Sequence, residues 1–133
     1  MWVEDSKIDE VMLDEASLRI PSLHSKYLNL HNEFSLLKKK KEQDLKTAQH
    51  KRWLYYSGKA PEEEYAAQPF PYKVIKSDVV HWVQVDELIL TLEMKVEYYD
   101  TILHTLNEIL KQVNQLSYNI KNAIQWRTFV GGA

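Results

Sequence analysis

The sequence of 133 residues has no cysteine, only three glycines and only four prolines. Without cysteine there is no disulfide framework, no thiolate metal site and no cysteine nucleophile, and a reducing compartment is expected. With so few glycines neither GxxxxGK[ST] nor GxGxxG occurs, so no nucleotide cradle is expected. No stretch alternates apolar and polar residues between turn dipeptides, which leaves an all-α fold. No run approaches eighteen apolar residues, and the amino terminus, MWVEDSKIDEVMLDEASLRI, is acidic and amphipathic rather than basic then apolar. A soluble, intracellular protein without a membrane partner is the expectation.

What is present is enough for a core: 44% of the residues are hydrophobic, with four Trp and eight Tyr among them. The formal net charge of −2 hides an asymmetry. Residues 1–25 carry six acids and two bases, residues 38–59 eight bases and two acids, and residues 60–133 ten acids and six bases. One basic block between acidic ends is the pattern of a localised anion-binding surface.

Three regions follow from periodicity. In residues 1–58, Asp5 and Ser6 precede a short apolar face of Ile8, Val11, Met12 and Leu18, which Pro21 is expected to end or break. Ser22 can then cap a longer helix whose Leu23, Tyr27, Leu30, Phe34 and Leu37 form a coiled-coil seam. That helix runs on loosely through Leu45 and Ala48 to Trp53 and Leu54, until Ser57-Gly58 supplies a left-handed stop. Residues 59–77, KAPEEEYAAQPFPYKVIKS, hold three prolines and no helical period. They read as a mostly extended connector whose Tyr65, Phe70, Tyr72 and Val74 pack against a helix.

In residues 78–133, Asp78, or Ser77 just before it, can cap the segment VVHWVQ. The longest seam follows: Val85, Leu88, Leu92, Val96, Tyr99, Leu103, Leu106, Leu110 and Val113, with a second row at Ile102, Ile109 and Leu116. Two apolar faces on one helix call for more than one neighbour, so self-association is expected here. The residues assigned to it are Leu103, Leu106, Leu110, Val113, Leu116, Ile120, Ile124, Trp126 and Phe129. Tyr118 lies offset from that face.

Catalytic signatures are missing. None of the five histidines forms HExxH or an obvious metal cluster. Glu62-Glu63-Glu64 reads as a solvated loop and Glu93/Glu97 as a solvated helix face. The chain is therefore expected not to be an enzyme and to need no cofactor or metal. The basic block admits two readings, a solvated helix or a phosphate-holding surface. In HKRWLYYSGKA, rings follow the cations directly, as in grooves that hold single strands without reading sequence. Trp53 and Tyr56, three apart, could equally face the core at the helix end.

KRWLYYSGKA, followed by an acidic, proline-bearing connector, resembles the amino-terminal motif of the UvsY family of recombination mediators from T4-like bacteriophages. QLSYNIKNAIQWRTFVGG is similar to that family's carboxy-terminal signature, and the resemblance spans about Ser25 to Gly132. It implies a non-enzymatic factor that binds single-stranded DNA and promotes loading of a RecA-like recombinase onto strands covered by single-strand-binding protein. It also implies a ring-like or barrel-like homo-oligomer, hexamer or heptamer, acting in the cytoplasm of the infected bacterial host. Arg52 matches the arginine of the family's DNA-binding motif, and Tyr55 to Gly58 its YYSG. The family's lysine two positions earlier is His50 here, with Lys51 one position on as its expected replacement. Lys38, Lys39, Lys40, Lys46, Lys51, Arg52 and Lys59 are expected at phosphates and Tyr55 or Tyr56 on bases, with either His50 or Lys51 carrying the motif's DNA contact. The alternative is a structural coiled-coil or adaptor protein of phage assembly without DNA binding.

Overall fold

A computed structural model of the chain describes residues 1–7 and 13–132, and every regular element in it is helical. The order is α1 (Trp2–Asp5), α2 (Leu13–Tyr56), α3 (Glu62–Ala67), a 3₁₀ turn (Lys76–Asp78), α4 (Val79–Gln84) and α5 (Glu87–Gly132). The all-α expectation holds. The expected face of Ile8, Val11 and Met12 lies outside the described residues.

Pro21 does not end a helix. It sits inside the 44-residue α2, so the two expected helices are one in this region, and Ser22 caps nothing. Proline removes the amide that would bond the Ser17 carbonyl. Both Ser17 and Pro21 are exposed, so water can serve that carbonyl.

The chain divides into two compact units, Met1–Ser35 with Thr101–Ala133, and Leu36–Asp100. The first is built on Leu23, Tyr27, Leu106 and Val113, with Trp2, Ile20, Leu30, Phe34, Ile102, Ile109 and Leu110 packed around them. The seams read from spacing therefore meet within one chain. Tyr27 is fully buried, and its hydroxyl donates to Asp5 Oδ2 at 2.6 Å while the edge of Trp2 packs on its ring. Burial, then the neighbouring Asp5 carboxylate, pushes the Tyr27 phenol well above its ordinary range. Lys26 donates to the same carboxylate and Trp2 Nε1 to Gln112, so α1 is tied down at both ends.

The second unit packs Ala48 of α2 against Val79 and Val83 of α4 and Ile89 of α5, flanked by Leu45, Trp53, Tyr56, Val74 and Leu92. Two sequence expectations shift here. Val85 and Leu88, assigned to the long seam, are exposed, because α5 begins only at Glu87 and Ile89 takes the buried position. The connector also contains a helix, α3, with Glu62, Glu63 and Glu64 in its first turn, where the helix dipole favours acids. Six residues are too few to show a period, and so the helix escaped the pattern.

Gly58 stops α2 in the left-handed region at φ +79°, and Lys59 N bonds the Leu54 carbonyl there. A Cβ at Gly58 would touch nothing within 4 Å, so the cost of substitution is conformational alone. Gly58→Ala should lower stability by about 1 kcal/mol in a urea melt. An unchanged midpoint would mean the turn relaxes out of this conformation.

Candidate nucleic-acid interface

Successive helix residues turn by about 100° and rise about 1.5 Å, which sorts the basic block of α2 into two groups. Lys39, Gln43, Lys46 and His50 fall within about 60° of one another, and all are exposed. Lys40 and Lys51 form a second exposed row about 100° to one side. Ala48, on the opposite side, is buried. The acids of this stretch are each paired with a lysine outside those two rows. Glu42 and Asp100 pair with Lys38 at 3.5 and 2.5 Å, and Asp44 pairs with Lys41 at 3.6 Å. The Asp100 carboxylate, above all, holds the Lys38 ammonium above its ordinary range. Among the described residues, Lys39, Lys40, Lys46 and Lys51 have no ion pair, and they form the open cationic face.

The aromatic motif at the end of α2 is placed differently from expectation. Arg52 turns inward: its Nε donates to Asp86 Oδ2 at 2.7 Å and its Nη2 to the Tyr56 hydroxyl at 3.2 Å. Its guanidinium lies 4.2 Å from the Tyr55 ring centroid and 4.9 Å from that of Tyr56. Tyr55 is 2% exposed, stacks on Tyr65 and donates to the Gln68 carbonyl, so its ring offers no face to a base. The Tyr56 ring packs against Phe70 and Trp82, and its hydroxyl donates to Asp86 Oδ2 at 2.6 Å. The connector rings Tyr65 and Phe70 do pack on the helix, as their apolar character suggested.

Asp86 is the residue that sequence reasoning passed over. Its Oδ2 accepts from Arg52 and Tyr56, while its Oδ1 accepts from the Leu88 and Ile89 amides and so caps α5. Burial alone would raise its carboxyl; the Tyr56 hydroxyl, the Arg52 guanidinium and the Ile89 amide outweigh that and hold it below the ordinary carboxylate range. Burial opposes the charge on Arg52 in the same way, and the bonds to Tyr56 and Asp86 more than offset it. Burial and the Asp86 carboxylate together raise the Tyr56 phenol. The available signal was an Asp directly before the apolar period of ELIL, a helix-start pattern.

Beside this network Arg52, Tyr56, Gln68, Trp82, Val85, Asp86, Glu87 and Leu88 line an open cleft of about 510 Å³. Lys59 is exposed, with its Nζ 5.0 Å from the Trp53 ring centroid. Of the residues assigned to self-association, Leu106, Val113 and Ile120 are buried within the single chain. Leu103, Leu110, Leu116 and Ile124 are half-buried, while Trp126 and Phe129 are exposed and stacked on each other at 5.8 Å. No group of acids and histidines that could hold a metal occurs among the described residues, and no described helix is long and apolar enough to cross a membrane.

The family described as recombination, repair and ssDNA binding protein UvsY matches residues 1–133, so the match includes the amino-terminal stretch before Ser25. Among solved structures, the crystal structure of the bacteriophage T4 recombination mediator protein UvsY, lattice type II, is similar at a TM-score of 0.84. It is 22% identical, with 98% of this chain and 92% of that chain covered. Lattice type I of the same T4 protein gives 0.84 at 23% identity, covering 96% and 94%. These likenesses are of fold. No curated protein sequence matches the chain.

Because the native carboxyl of Asp86 titrates below its unfolded value, it stabilises the fold above about pH 4, and that contribution disappears as pH falls through the lower native value. Asp86→Asn keeps a capping oxygen but removes the charge opposite Arg52. It should cost about 2 kcal/mol near pH 7 and flatten the acid limb of stability against pH, read by urea melts from pH 7 to 3. An equally steep limb in the variant would place the acid-sensitive group elsewhere.

Proposed function

The chain belongs to the UvsY family of recombination, repair and ssDNA-binding proteins, and from that premise we propose that it is a recombination mediator whose strand-binding surface is the exposed cationic face of α2. The observation that carries this reading is the partition of cations. Lys38, Lys41 and Arg52 are held by acids of the same chain, whereas Lys39, Lys40, Lys46 and Lys51 stand open on neighbouring rows. Open ammonium groups along a helix can displace the counterions of a phosphate backbone without reading sequence. His50 lies in the same row as Lys39 and Lys46 and adds a donor to phosphate. Arg52, Tyr55 and Tyr56 act by position: they fix the end of α2 and thereby the direction of the lysine face.

A few cations on one protomer give weak, salt-sensitive binding. Several copies gain apparent affinity through effective concentration, so a homo-oligomer, hexamer or heptamer, belongs to the proposal. The exposed Tyr118, Trp126, Phe129 and Val130 near the end of α5 are the apolar surface available for it. A strand held on repeated lysine faces would be released from single-strand-binding protein and offered to a RecA-like recombinase, in the cytoplasm of the infected host. No chemical step is required of the protein, which acts as a binding factor rather than an enzyme.

Anisotropy of a labelled oligo-dT strand across a salt series tests the reading. Lys39→Ala/Lys46→Ala/Lys51→Ala should weaken binding at least tenfold near 0.1 M salt and reduce the slope of log affinity against log salt by about 2, at unchanged oligomeric mass. Equal affinity and slope in the variant, or no binding by the wild-type oligomer, would favour an adaptor or scaffold whose lysines are solvated surface.

A further inference from the structure

A strand on the lysine face still lacks a ring for its bases, because Tyr55 is buried and Tyr56 is turned to Asp86, Phe70 and Trp82. Trp53 is placed otherwise. It continues the row of Lys39, Lys46 and His50 at steps of seven, four and three residues, which keeps the four within about 60° on the helix and spans about 21 Å. The ring is partly buried, packed on the cluster of Ala48, Val79, Val83 and Ile89, and the Lys59 ammonium sits over it at 5.0 Å. Lys59 itself is exposed, just past the left-handed Gly58.

We propose that Trp53 is the stacking platform for an unstacked base of the bound single strand, and that Lys59 moves from the ring to a neighbouring phosphate as the base enters. This rests on the strand-binding reading above. The electron-rich ring face already attracts a cation, and the same face accepts any base, since every base has a π surface. A ring fixed against a core loses little freedom on stacking. The ammonium occupies the position when no strand is present, and its flexible stem lets it follow the phosphate that accompanies the base. Cationic row and ring would then form one continuous track along α2, ending where the helix stops.

The test is tryptophan emission during titration with oligo-dT, alongside strand anisotropy, for wild type, Trp53→Phe and Trp82→Phe, with helicity and mass checked for each. Saturable quenching should be present in wild type and Trp82→Phe with the midpoint of the anisotropy curve, and largely lost in Trp53→Phe. Trp53→Leu, which keeps an apolar contact with the core, should bind about tenfold more weakly with an unchanged salt slope, because stacking releases no counterions. Lys59→Ala should lower the slope by about 0.7 and retain the quenching. Anisotropy binding with quenching that survives in Trp53→Phe overturns the platform while leaving strand binding intact, and loss of quenching only in Trp82→Phe moves the base to the cleft at Trp82. No anisotropy change with wild type overturns the strand-binding reading and the platform with it.

Discussion

One carboxylate, that of Asp86, joins the end of one long helix to the start of the other. Its two oxygens do different work: Oδ1 holds the first free amides of α5, and Oδ2 holds Arg52 and Tyr56 from the last turn of α2. A helix start leaves amides unpaired, and a half-buried arginine needs a counter-charge. A single aspartate meets both demands because a carboxylate has enough lone pairs for four donors. The connector then folds back over this junction, with Tyr65 stacked on Tyr55 and Phe70 edge-on to Tyr56 and Trp82.

That junction takes Arg52 out of reach of a ligand. Arg52 is neutralised within the chain, as are Lys38 and Lys41. What remains is an open face in two rows, and its direction is set by the side of α2 that the second core cluster buries at Ala48. Arg52, Tyr55 and Tyr56 hold the helix end, while the lysines, His50 and the Trp53 ring are the surface proposed for a strand.

Much of this was legible before any coordinates. The helical class, the seam of Leu23 and Tyr27, the far seam of Leu106 and Val113 and the left-handed stop at Gly58 all follow from spacing and residue type. The basic block was legible too, but its division was not. Lys38 and Lys39 are adjacent, and although Glu42 lies one turn on from Lys38, its shortest ion pair is with Asp100, far along the chain. Contacts between residues so far apart leave no local period. Asp86 was hidden for a related reason: the apolar spacing of Val85, Leu88 and Leu92 fits a seam, yet a cap at Asp86 starts the helix later and buries Ile89 instead. Pro21 misled in the other direction, since a proline at an exposed position costs a helix one bond rather than its continuity.

In the proposed reading Arg52 is held by Asp86 and touches no phosphate. The most direct measurement pairs two neutral substitutions, Arg52→Met with Asp86→Asn, which remove the ion pair while keeping its bulk and the cap. The salt dependence of oligo-dT affinity is then compared with wild type. An affinity within about threefold and an unchanged slope are expected, since no phosphate contact is lost. A slope lowered by about 0.7, with affinity falling most at low salt, would instead put the guanidinium on the strand.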